Sequence, residues 1–517
     1  MEKQEEIIEK KQEEIINKRT EKIINWFKNP YNLAFFSIIV FAIAVRLYFF
    51  ILIKNQPVWW DESEFLNMAK SWALGVEYLR YDAVRPILFS LVTALFFKIS
   101  LTEFLPRFFV LVLSVISVIG VYYLGKELYN EKIGLLSSFF ASVFYLNLFF
   151  TYRLLMDMPA LAFFTFGTLF FYKYFKYKSN KLLYIGAVLI SIGTLFKQST
   201  AFILLAFFLY FLTTEKLNFL KKKEIWIAAL IFVAIQLPYI IWGYIKFKGF
   251  VFTQATKVII PQGVNHFSQY FFVGYQMFNG YLQSFPFYFS WVFLIIFVLG
   301  LLSMYKLILG FDILIKNKDE SLNRDWFVLL ILIAPLIVTS ILIGHTEDRY
   351  LLSTFSIIFI ISSMFILKIY NYIKKYNKII AIIFLVFLLS FNIYIQIFSA
   401  GHANDLIESK SYSYLEIKNA GLWLKENSAP TDVIATQSIH QIEYYSDRRA
   451  EVFPANSSVE FEALMQKNPN LKYYMVSLIQ RSPDWTYSYP QNNNLTLVNA
   501  YFADQAQQQP ILLIYKL

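Results

Sequence analysis

Long apolar runs recur along most of the chain and limit it to membrane architectures. Of the 517 residues, 57% are hydrophobic and 55 are phenylalanine. Many runs approach the ~20 residues that an α-helix needs to cross a bilayer. The first run, Ile38 to Ile53, lies too far from the N-terminus and is too long for a cleaved signal peptide. The sequence therefore predicts a polytopic α-helical membrane protein that keeps this first span as an anchor.

The basic residues predict the orientation of the spans. Lysine and arginine favour cytoplasmic loops, so the net charge of +11 indicates topology and not a nucleic-acid partner. The loops that contain Lys126, Lys173, Lys216, Lys316 and Lys374 should all be cytoplasmic. This choice places the N-terminus in the cytoplasm and gives about eleven transmembrane helices. We expect them near residues 31–53, 105–125, 133–150, 158–175, 182–196, 199–213, 225–245, 287–310, 327–344, 350–367 and 379–398.

One apolar stretch, Pro86 to Ile99, does not fit this alternation. Counting it as a span would put Lys126 and every later basic loop outside, so we expect a helix in the outer interface instead. The alternative is a true span together with a missed one elsewhere. In the preferred topology the first external loop runs from Lys54 to about Leu105.

Two other segments flank the membrane domain, which we place at residues 31–400. Residues 1–30 contain a charged octad repeat, a pattern that recurs every eight residues. Equivalent positions of successive repeats are rotated by ~80° around an α-helix. This pattern predicts a helix along the cytoplasmic membrane surface and no stable coiled coil. Residues 401–517 combine helix and strand patterns, which predicts a small extracytoplasmic α/β domain. Its expected helices are 414–427 and 458–467, and its expected strands are 432–436, 471–479, 495–501 and 511–515.

The loop after the first span concentrates the candidate chemistry. Indole side chains prefer the headgroup level of a membrane, and adjacent carboxylates there can act as bases toward a lipid-borne substrate. The chain has no cysteine, which excludes thiol nucleophiles and disulfides, and its four histidines disfavour a His-rich metal centre. A lipid-handling enzyme is therefore the leading hypothesis. The loop reads Pro57-Val58-Trp59-Trp60-Asp61-Glu62-Ser63-Glu64.

Further charged residues collect at the external ends of other spans. Full burial of one charge in a membrane costs ~2.5–3.5 kcal/mol on insertion scales. A protein tolerates that cost where it needs charge, so we treat this set as functional. Its members are Arg85, Arg153, Asp157, Lys197, His345, Glu347, Asp348 and Arg349.

The order of these residues resembles that of the GT-C glycosyltransferases, and most closely the protein O-mannosyltransferase and lipid A aminoarabinose transferase group. The resemblance covers most of the chain. It implies a GT-C-like membrane domain, an external C-terminal α/β domain and a polyprenyl- or dolichyl-phosphate sugar as donor. No Gly-rich nucleotide-binding loop is visible, which agrees with such a donor. The similar features are an Asp-Glu pair after the first span, Arg85-Pro86, Asp157-Met158-Pro159, Leu195-Phe196-Lys197 and Asp348-Arg349-Tyr350-Leu351-Leu352.

Three carboxylates are the candidate catalytic groups. Transfer of a sugar to a hydroxyl requires a base for the acceptor proton, and Asp61 is the candidate base, as the resemblance also implies. The alternative is that Asp61 caps a helix beginning near Ser63. Glu62 would orient the base or contact the acceptor, unless it is simply solvated. Asp157 matches the second acidic position of the family and would help to position the base, or it caps the helix that follows it.

Three cations are the candidates for holding the donor phosphate. Arg85 is the first choice, because a guanidinium group can contact two phosphate oxygens at once. Lys197 and Arg349 are the other two. Snorkelling to the interface is the alternative for Arg85 and Lys197, and a salt bridge to Asp348 or Glu347 is the alternative for Arg349. Additional candidates for substrate binding are Arg153, His345 and Tyr350.

These residues predict an inverting glycosyltransferase. Phosphate is a competent leaving group, so a single displacement needs no second acid. The acceptor would be a hydroxyl or amine of a protein, glycan or lipid. No cofactor is required, although Asp61, Glu62 and Asp157 could gather a divalent metal if they converge. We expect a multi-pass protein of the plasma membrane with its active site facing outward, in contact with membrane lipids.

Two other classes of protein remain as alternatives. A transporter or flippase for a lipid or small solute would also need many spans and few intramembrane charges. Such folds usually show inverted repeats and broken spans, whereas this sequence has no convincing repeat and collects its charges on one face. An inactive sensor or scaffold with the C-terminal segment as its binding module is the third possibility.

Overall fold

The computed structural model describes residues 18, 20–21, 24–76, 85–248, 267–309, 319–343, 346–503 and 508–517. The predicted octad helix lies mostly outside these residues. The described chain is mainly α-helical and ends in a five-stranded sheet. Helices precede the sheet domain, as the sequence predicted.

The helices of the membrane part follow the predicted spans. Short 3-10 segments at Gln198–Phe202, Lys216–Lys221 and Asp348–Leu351 join some of them. The helices are α1 (Pro30–Ile53), α2 (Trp60–Leu74), α3 (Leu88–Phe97), α4 (Phe104–Leu128), α5 (Glu131–Val143), α6 (Tyr145–Phe150), α7 (Asp157–Tyr177), α8 (Asn180–Phe196), α9 (Ile203–Glu215), α10 (Lys223–Phe247), α11 (Phe267–Leu302), α12 (Lys306–Leu309), α13 (Glu320–Leu342), α14 (Leu352–Tyr376) and α15 (Lys378–Ile393).

Within the described residues, eight helical segments are long and apolar enough to cross a membrane, by length and composition. The chain is thus a multi-pass membrane protein. The three other predicted spans are also helical but depart from that criterion. The helix near 133–150 is broken at Phe144, where the backbone turns extended with ψ 122°. Helix α7 includes Asp157 and two lysines, and α8 has 17 residues.

Helix α3 corresponds to the apolar stretch that did not fit the alternation of spans. It has 10 residues, and at ~1.5 Å per residue it is ~15 Å long. The hydrocarbon core of a bilayer is ~30 Å thick. This length supports the interfacial interpretation over a full span.

A buried arginine joins the two loops that carry the candidate chemistry. Arg107, in the first turn of α4, donates one hydrogen bond to the carbonyl oxygen of Gln56 and one to that of Tyr152, both at 2.7 Å. The side chain of Gln56 in turn accepts a hydrogen bond of 2.9 Å from Arg153 Nη1. Because buried polar groups need partners, these bonds fix the loop after α1 against the loop before α7.

The C-terminal domain is the predicted α/β unit. Strands β1 (Val433–Thr436), β2 (Arg449–Glu451) and β3 (Leu471–Ser477) are parallel, while β4 (Thr496–Phe502) and β5 (Pro510–Lys516) are antiparallel, in the order β2-β1-β3-β5-β4. Ile434 pairs with Tyr473, and Tyr474 pairs with Tyr515. The helices are α16 (Ala403–Lys410), α17 (Leu415–Asn427), α18 (Ile439–Ser446), α19 (Ser458–Lys467) and α20 (Trp485–Asn492).

Most of the predicted C-terminal elements are confirmed, and four elements were missed. The predicted helices correspond to α17 and α19, and the four predicted strands to β1, β3, β4 and β5. The prediction omitted α16, α18, β2 and α20. Among these, α18 matters most for the site, because it packs on α2.

Helix α18 holds the C-terminal domain against α2 and the loop that precedes it. Tyr445 Oη accepts a 2.8 Å hydrogen bond from the amide of Val58. Asn67 donates a 2.9 Å bond to the carbonyl of His440, and Lys70 donates a 2.7 Å bond to that of Tyr444. The loop and α2 are therefore completed by residues from the far end of the chain.

Candidate active site

The first helix of the site begins earlier than the sequence suggested. We predicted a helix start near Ser63, but α2 begins at Trp60. Its capping contact comes from Glu62, whose Oε2 accepts a 2.7 Å hydrogen bond from the amide of Trp59. A side chain in the first turn that reaches back in this way satisfies an amide that the helix leaves unpaired. Glu62 thus makes the capping contact that we had considered for Asp61.

Asp61 lies between two guanidinium groups. Its Oδ1 accepts a 2.7 Å bond from Arg85 Nη2, and its Oδ2 lies 2.8 Å from Arg349 Nη2. The carboxylate is 26% exposed, so it remains open to one side. Burial raises the pKa of Asp61, but the charges of Arg85 and Arg349 lower it by more, so the net pKa is below that of an ordinary aspartate. Asp61 is therefore ionised at neutral pH.

A second ion pair lies beside the first. Lys197 follows α8, and its Nζ is 2.5 Å from Asp157 Oδ1 and 3.2 Å from the carbonyl oxygen of Arg349. It also lies 4.9 Å from the centre of the Tyr350 ring. The Asp157 side chain is 1% exposed, and among the described residues its Oδ2 has no hydrogen-bond partner. Lys197 therefore joins Asp157 to the backbone of the residue that holds Asp61.

A small cavity adjoins these two pairs. Asp157, Lys197, Arg349, Tyr350 and Ser353 are among its lining residues, and its volume is about 20 Å³. A single water molecule needs ~10–15 Å³ by this kind of measure. The space between the charged groups is too small for a sugar phosphate.

Two predicted residues lie beside this cluster in fully buried positions. Glu62 Oε1 accepts a 2.9 Å bond from the amide of Leu154 and lies 3.2 Å from Arg153 Nε. The guanidinium carbon of Arg153 is 3.4 Å from the centre of the Trp59 ring. Both side chains are at most 1% exposed. Their contacts hold the loop before α7 against the start of α2, and their roles in chemistry or binding stay predictions.

The structure thus brings six predicted residues together and leaves three elsewhere. Glu62 and Arg153 form the neighbouring buried pair, and His345 lies outside the described residues. The six that converge come from five separate parts of the chain, namely Asp61, Arg85, Asp157, Lys197, Arg349 and Tyr350.

Two residues to which we assigned no role extend this cluster. Glu64 contacts Arg85 directly, and His440 contacts Glu64. Glu64 Oε2 accepts a hydrogen bond from Arg85 Nε. Glu64 Oε1 accepts a 2.8 Å bond from Trp60 Nε1 and lies 3.2 Å from His440 Nε2 of α18. The three-residue spacing of Asp61 and Glu64 places both on one helix face and could have identified Glu64. No sequence signal links His440 to this face.

An apolar groove of about 620 Å³ lies between α11 and α13. Phe278, Phe285, Leu332 and Leu336 are among its lining residues, and it extends to Thr354. Thr354 is about one helical turn from Tyr350. One end of the groove therefore lies about one helical turn along the chain from Tyr350 of the charged cluster.

Comparison with known proteins supports the resemblance seen in the sequence. A profile of the family described as dolichyl-phosphate-mannose-protein mannosyltransferase matches residues 84–242. This range includes Arg85, Asp157 and Lys197. The comparison with curated proteins found no significant match.

Solved structures match over most of the chain. The ArnT protein of Cupriavidus metallidurans bound to undecaprenyl phosphate superposes with a TM-score of 0.61 and 11% identity, covering 92% of this chain and 97% of that one. The Archaeoglobus fulgidus oligosaccharyltransferase, in complex with zinc and sulfate, gives a TM-score of 0.58 and 13% identity, covering 85% and 68%. The same enzyme tethered to an acceptor peptide with an NVT sequon gives 0.55 and 14%, covering 88% and 70%. The chain therefore has the fold of the GT-C glycosyltransferases, and the predicted fold class is confirmed.

Proposed function

We propose that this protein is an inverting glycosyltransferase that moves a sugar from a polyprenyl- or dolichyl-phosphate carrier to a hydroxyl or amine acceptor. The observation that carries the proposal is the position of Asp61 between Arg85 and Arg349, with the Asp157–Lys197 pair beside it. One carboxylate and several cations at one site are what this transfer needs. The fold shared with a protein that binds undecaprenyl phosphate supports the class of donor.

The ion pairs suggest how donor binding prepares the base. Asp61 pairs with the guanidinium groups that a phosphate would use. A bound phosphate competes with Asp61 for Arg85 and Arg349, since both ligands are anionic and both accept hydrogen bonds. Release from these cations raises the proton affinity of Asp61. The base thus becomes stronger when the donor is present.

The transfer itself is a single displacement. The acceptor oxygen or nitrogen forms a bond to the anomeric carbon while the bond from that carbon to the phosphate oxygen breaks. The acceptor proton passes to Asp61, and the polyprenyl phosphate leaves with its charge held by Arg85, Arg349 and Lys197. Preorganised cations stabilise the charge that develops on the leaving group. One displacement inverts the anomeric configuration.

The apolar groove between α11 and α13 fits the lipid chain of such a donor. Its lining is almost entirely hydrophobic, and it extends to Thr354 near Tyr350. A phosphate at the charged cluster would thus have its isoprenoid chain in the groove. The transfer would occur at the extracytoplasmic face, because the positive-inside pattern puts these loops outside.

Transfer from a panel of radiolabelled polyprenyl-phosphate sugars to membranes containing the protein tests the proposal. We expect one sugar to move into a protein, glycan or lipid acceptor and its anomeric configuration to invert. Labelled lipid that crosses the bilayer of reconstituted vesicles, with no transfer from any donor, would favour a flippase and contradict the proposal.

The pH dependence should differ between the free enzyme and the donor complex. The pKa of Asp61 is lowered in the free protein by Arg85 and Arg349, so kcat/KM should persist to pH values below the ordinary range for an aspartate. Donor binding removes part of that lowering, so the acid limb of kcat should lie at higher pH than that of kcat/KM. The pH profile of kcat/KM reports the free enzyme, and that of kcat reports the complex. Coincident acid limbs would contradict the exchange of partners.

Removal of divalent metal should leave transfer unchanged. Among the described residues, no cluster of three or more His, Asp or Glu side chains could hold a metal ion. Asp61 and Asp157 are occupied by cations of the chain itself. We expect EDTA to alter the initial rate by less than about twofold, since a hard cation would need several further oxygen ligands. A loss that added magnesium or manganese restores would contradict this.

A further inference from the structure

A second polar cavity lies at the end of the helical bundle opposite the active site. Its volume is about 580 Å³. The residues around it come from the start of α1, the end of α4, the start of α5 and the last part of α14. Those with polar side chains are Tyr31, Lys126, Asn130, Glu131, Lys132, Lys368 and Asn371.

The helix directions fix this location. Tyr31 is in the first turn of α1, which has 24 residues and is therefore ~36 Å long. The other end of α1 leads into the loop before α2, the helix that carries Asp61. Lys126 is in the last turn of α4, whereas Arg107 in its first turn contacts the active-site loops. Lys368 is in the later part of α14, which begins next to Arg349. The cavity and the active site therefore lie near opposite membrane surfaces.

The lining of this cavity has excess positive charge. The lining contains three lysines and one glutamate, so its net charge is +2. Lys126 Nζ is 2.7 Å from Glu131 Oε1, so that pair is neutral. Lys368 Nζ donates a 2.9 Å bond to the hydroxyl of Ser303. Within the described part of the chain, neither Lys132 nor Lys368 has a carboxylate at ion-pair distance.

Two further features suit a phosphate that carries an apolar tail. The cavity includes the start of α5, a helix of 13 residues whose Asn130 cap accepts a 3.1 Å bond from Ile133. A helix N-terminus adds partial positive charge. The remaining lining is apolar, from Ile133, Met364 and Leu367. The cavity is thus basic at its rim and hydrophobic against the bundle.

We propose that this cavity binds the phosphate group of an anionic phospholipid in the leaflet opposite the active site. Basic pockets between membrane helices recognise such headgroups, because lysines near the surface attract anionic lipid. Inorganic phosphate shares the charge and the acceptor oxygens but has no apolar part to contact Met364 and Leu367. The lipid therefore accounts for the whole lining. This site does not depend on the proposed transfer reaction.

Binding of spin-labelled phosphatidylglycerol to the purified full-length chain in neutral detergent tests the proposal. We expect saturable binding that exceeds that of spin-labelled phosphatidylcholine. Lys132→Gln with Lys368→Gln should weaken it by about tenfold, because both lysines line the cavity and would contact the lipid phosphate. Both side chains are exposed, so their substitution spares the packed core.

A matched control separates this site from general surface charge. Lys181→Gln with Lys221→Gln removes two exposed lysines that do not line the cavity. We expect this control to change phosphatidylglycerol binding by less than about twofold. Equal weakening in both double variants, or no preference over phosphatidylcholine, would overturn the proposal. The single variant Lys132→Gln should give a partial loss and guards against misfolding of the double variant.

Inorganic phosphate distinguishes the two sources of the anion. We expect millimolar phosphate to leave bound phosphatidylglycerol in place. Displacement by phosphate, together with phosphate binding that Lys132→Gln and Lys368→Gln abolish, would overturn the assignment to a lipid.

Discussion

The substitution Asp61→Asn should lower sugar transfer by about 100- to 10,000-fold, which is the usual contribution of a positioned general base. Asparagine keeps the size of the side chain but cannot take up the acceptor proton. It also no longer pairs with Arg85 and Arg349, which lie 2.7 and 2.8 Å from the carboxylate oxygens. The donor phosphate then meets less competition for these cations. We therefore expect kcat to fall while donor affinity is retained or increases.

Separate measurements of donor binding and turnover check this result. The change Asp484→Asn is a matched control, because that carboxylate in the C-terminal domain is 88% exposed. It should have normal kcat and normal donor binding. If Asp61→Asn left sugar transfer intact, the assignment of Asp61 as the general base would be wrong. A parallel loss of donor binding would instead mean that Asp61 contributes to holding the donor.

The substitution Lys197→Met should have the largest effect on stability. It leaves the Asp157 carboxylate, which is 1% exposed, without its 2.5 Å partner. Removing one member of a buried ion pair typically costs about 3–5 kcal/mol in free energy of unfolding. We therefore expect a much lower Tm in detergent and little folded protein. Transfer should also be lost, because Lys197 is a candidate ligand of the phosphate.

A double variant separates the structural effect from the chemical one. Asp157→Asn combined with Lys197→Met removes both charges, and replacing a whole buried pair is far less costly than breaking it. We expect Tm to recover most of the way while transfer stays absent. If sugar transfer recovered together with Tm in the double variant, the pair would have only a structural role. A single Lys197→Met variant with an unchanged Tm would contradict the coupling of the two residues.

Most of the architecture was predictable from the sequence because the relevant signals are local. Apolar runs predicted the spans, and the cap at Ser457 marks the start of α19, which has the predicted bounds. Helix α18 gave no such signal. It has 8 residues, and seven of them are buried, including Gln441 and Glu443. A helix of this length is shorter than the window of about 11 to 18 residues over which amphipathic periodicity is recognised.

The membership of the site was largely predictable, but its pairings were not. Successive residues on a helix point ~100° apart. Because α2 begins at Trp60, Asp61 and Glu64 face Arg85, while Glu62 turns toward Leu154. A helix that began near Ser63 would not include Asp61, so the predicted helix start did not indicate that Asp61 and Glu64 share a face. The second contact of Asp61, to Arg349, depends on a tertiary approach that no local pattern encodes.

The contacts of α18 also set the order in which this protein can mature. Val58, Asn67 and Lys70 find partners in residues 440–447, and Asn67 and its partner are 373 positions apart in the chain. At the usual ~5–20 residues per second of synthesis, the ribosome takes roughly 20 to 75 s to bridge that interval. The first loop enters the membrane long before the helix that completes it exists. The membrane helices can therefore assemble before α18 docks on α2, and the proposed active site is complete only after that docking step.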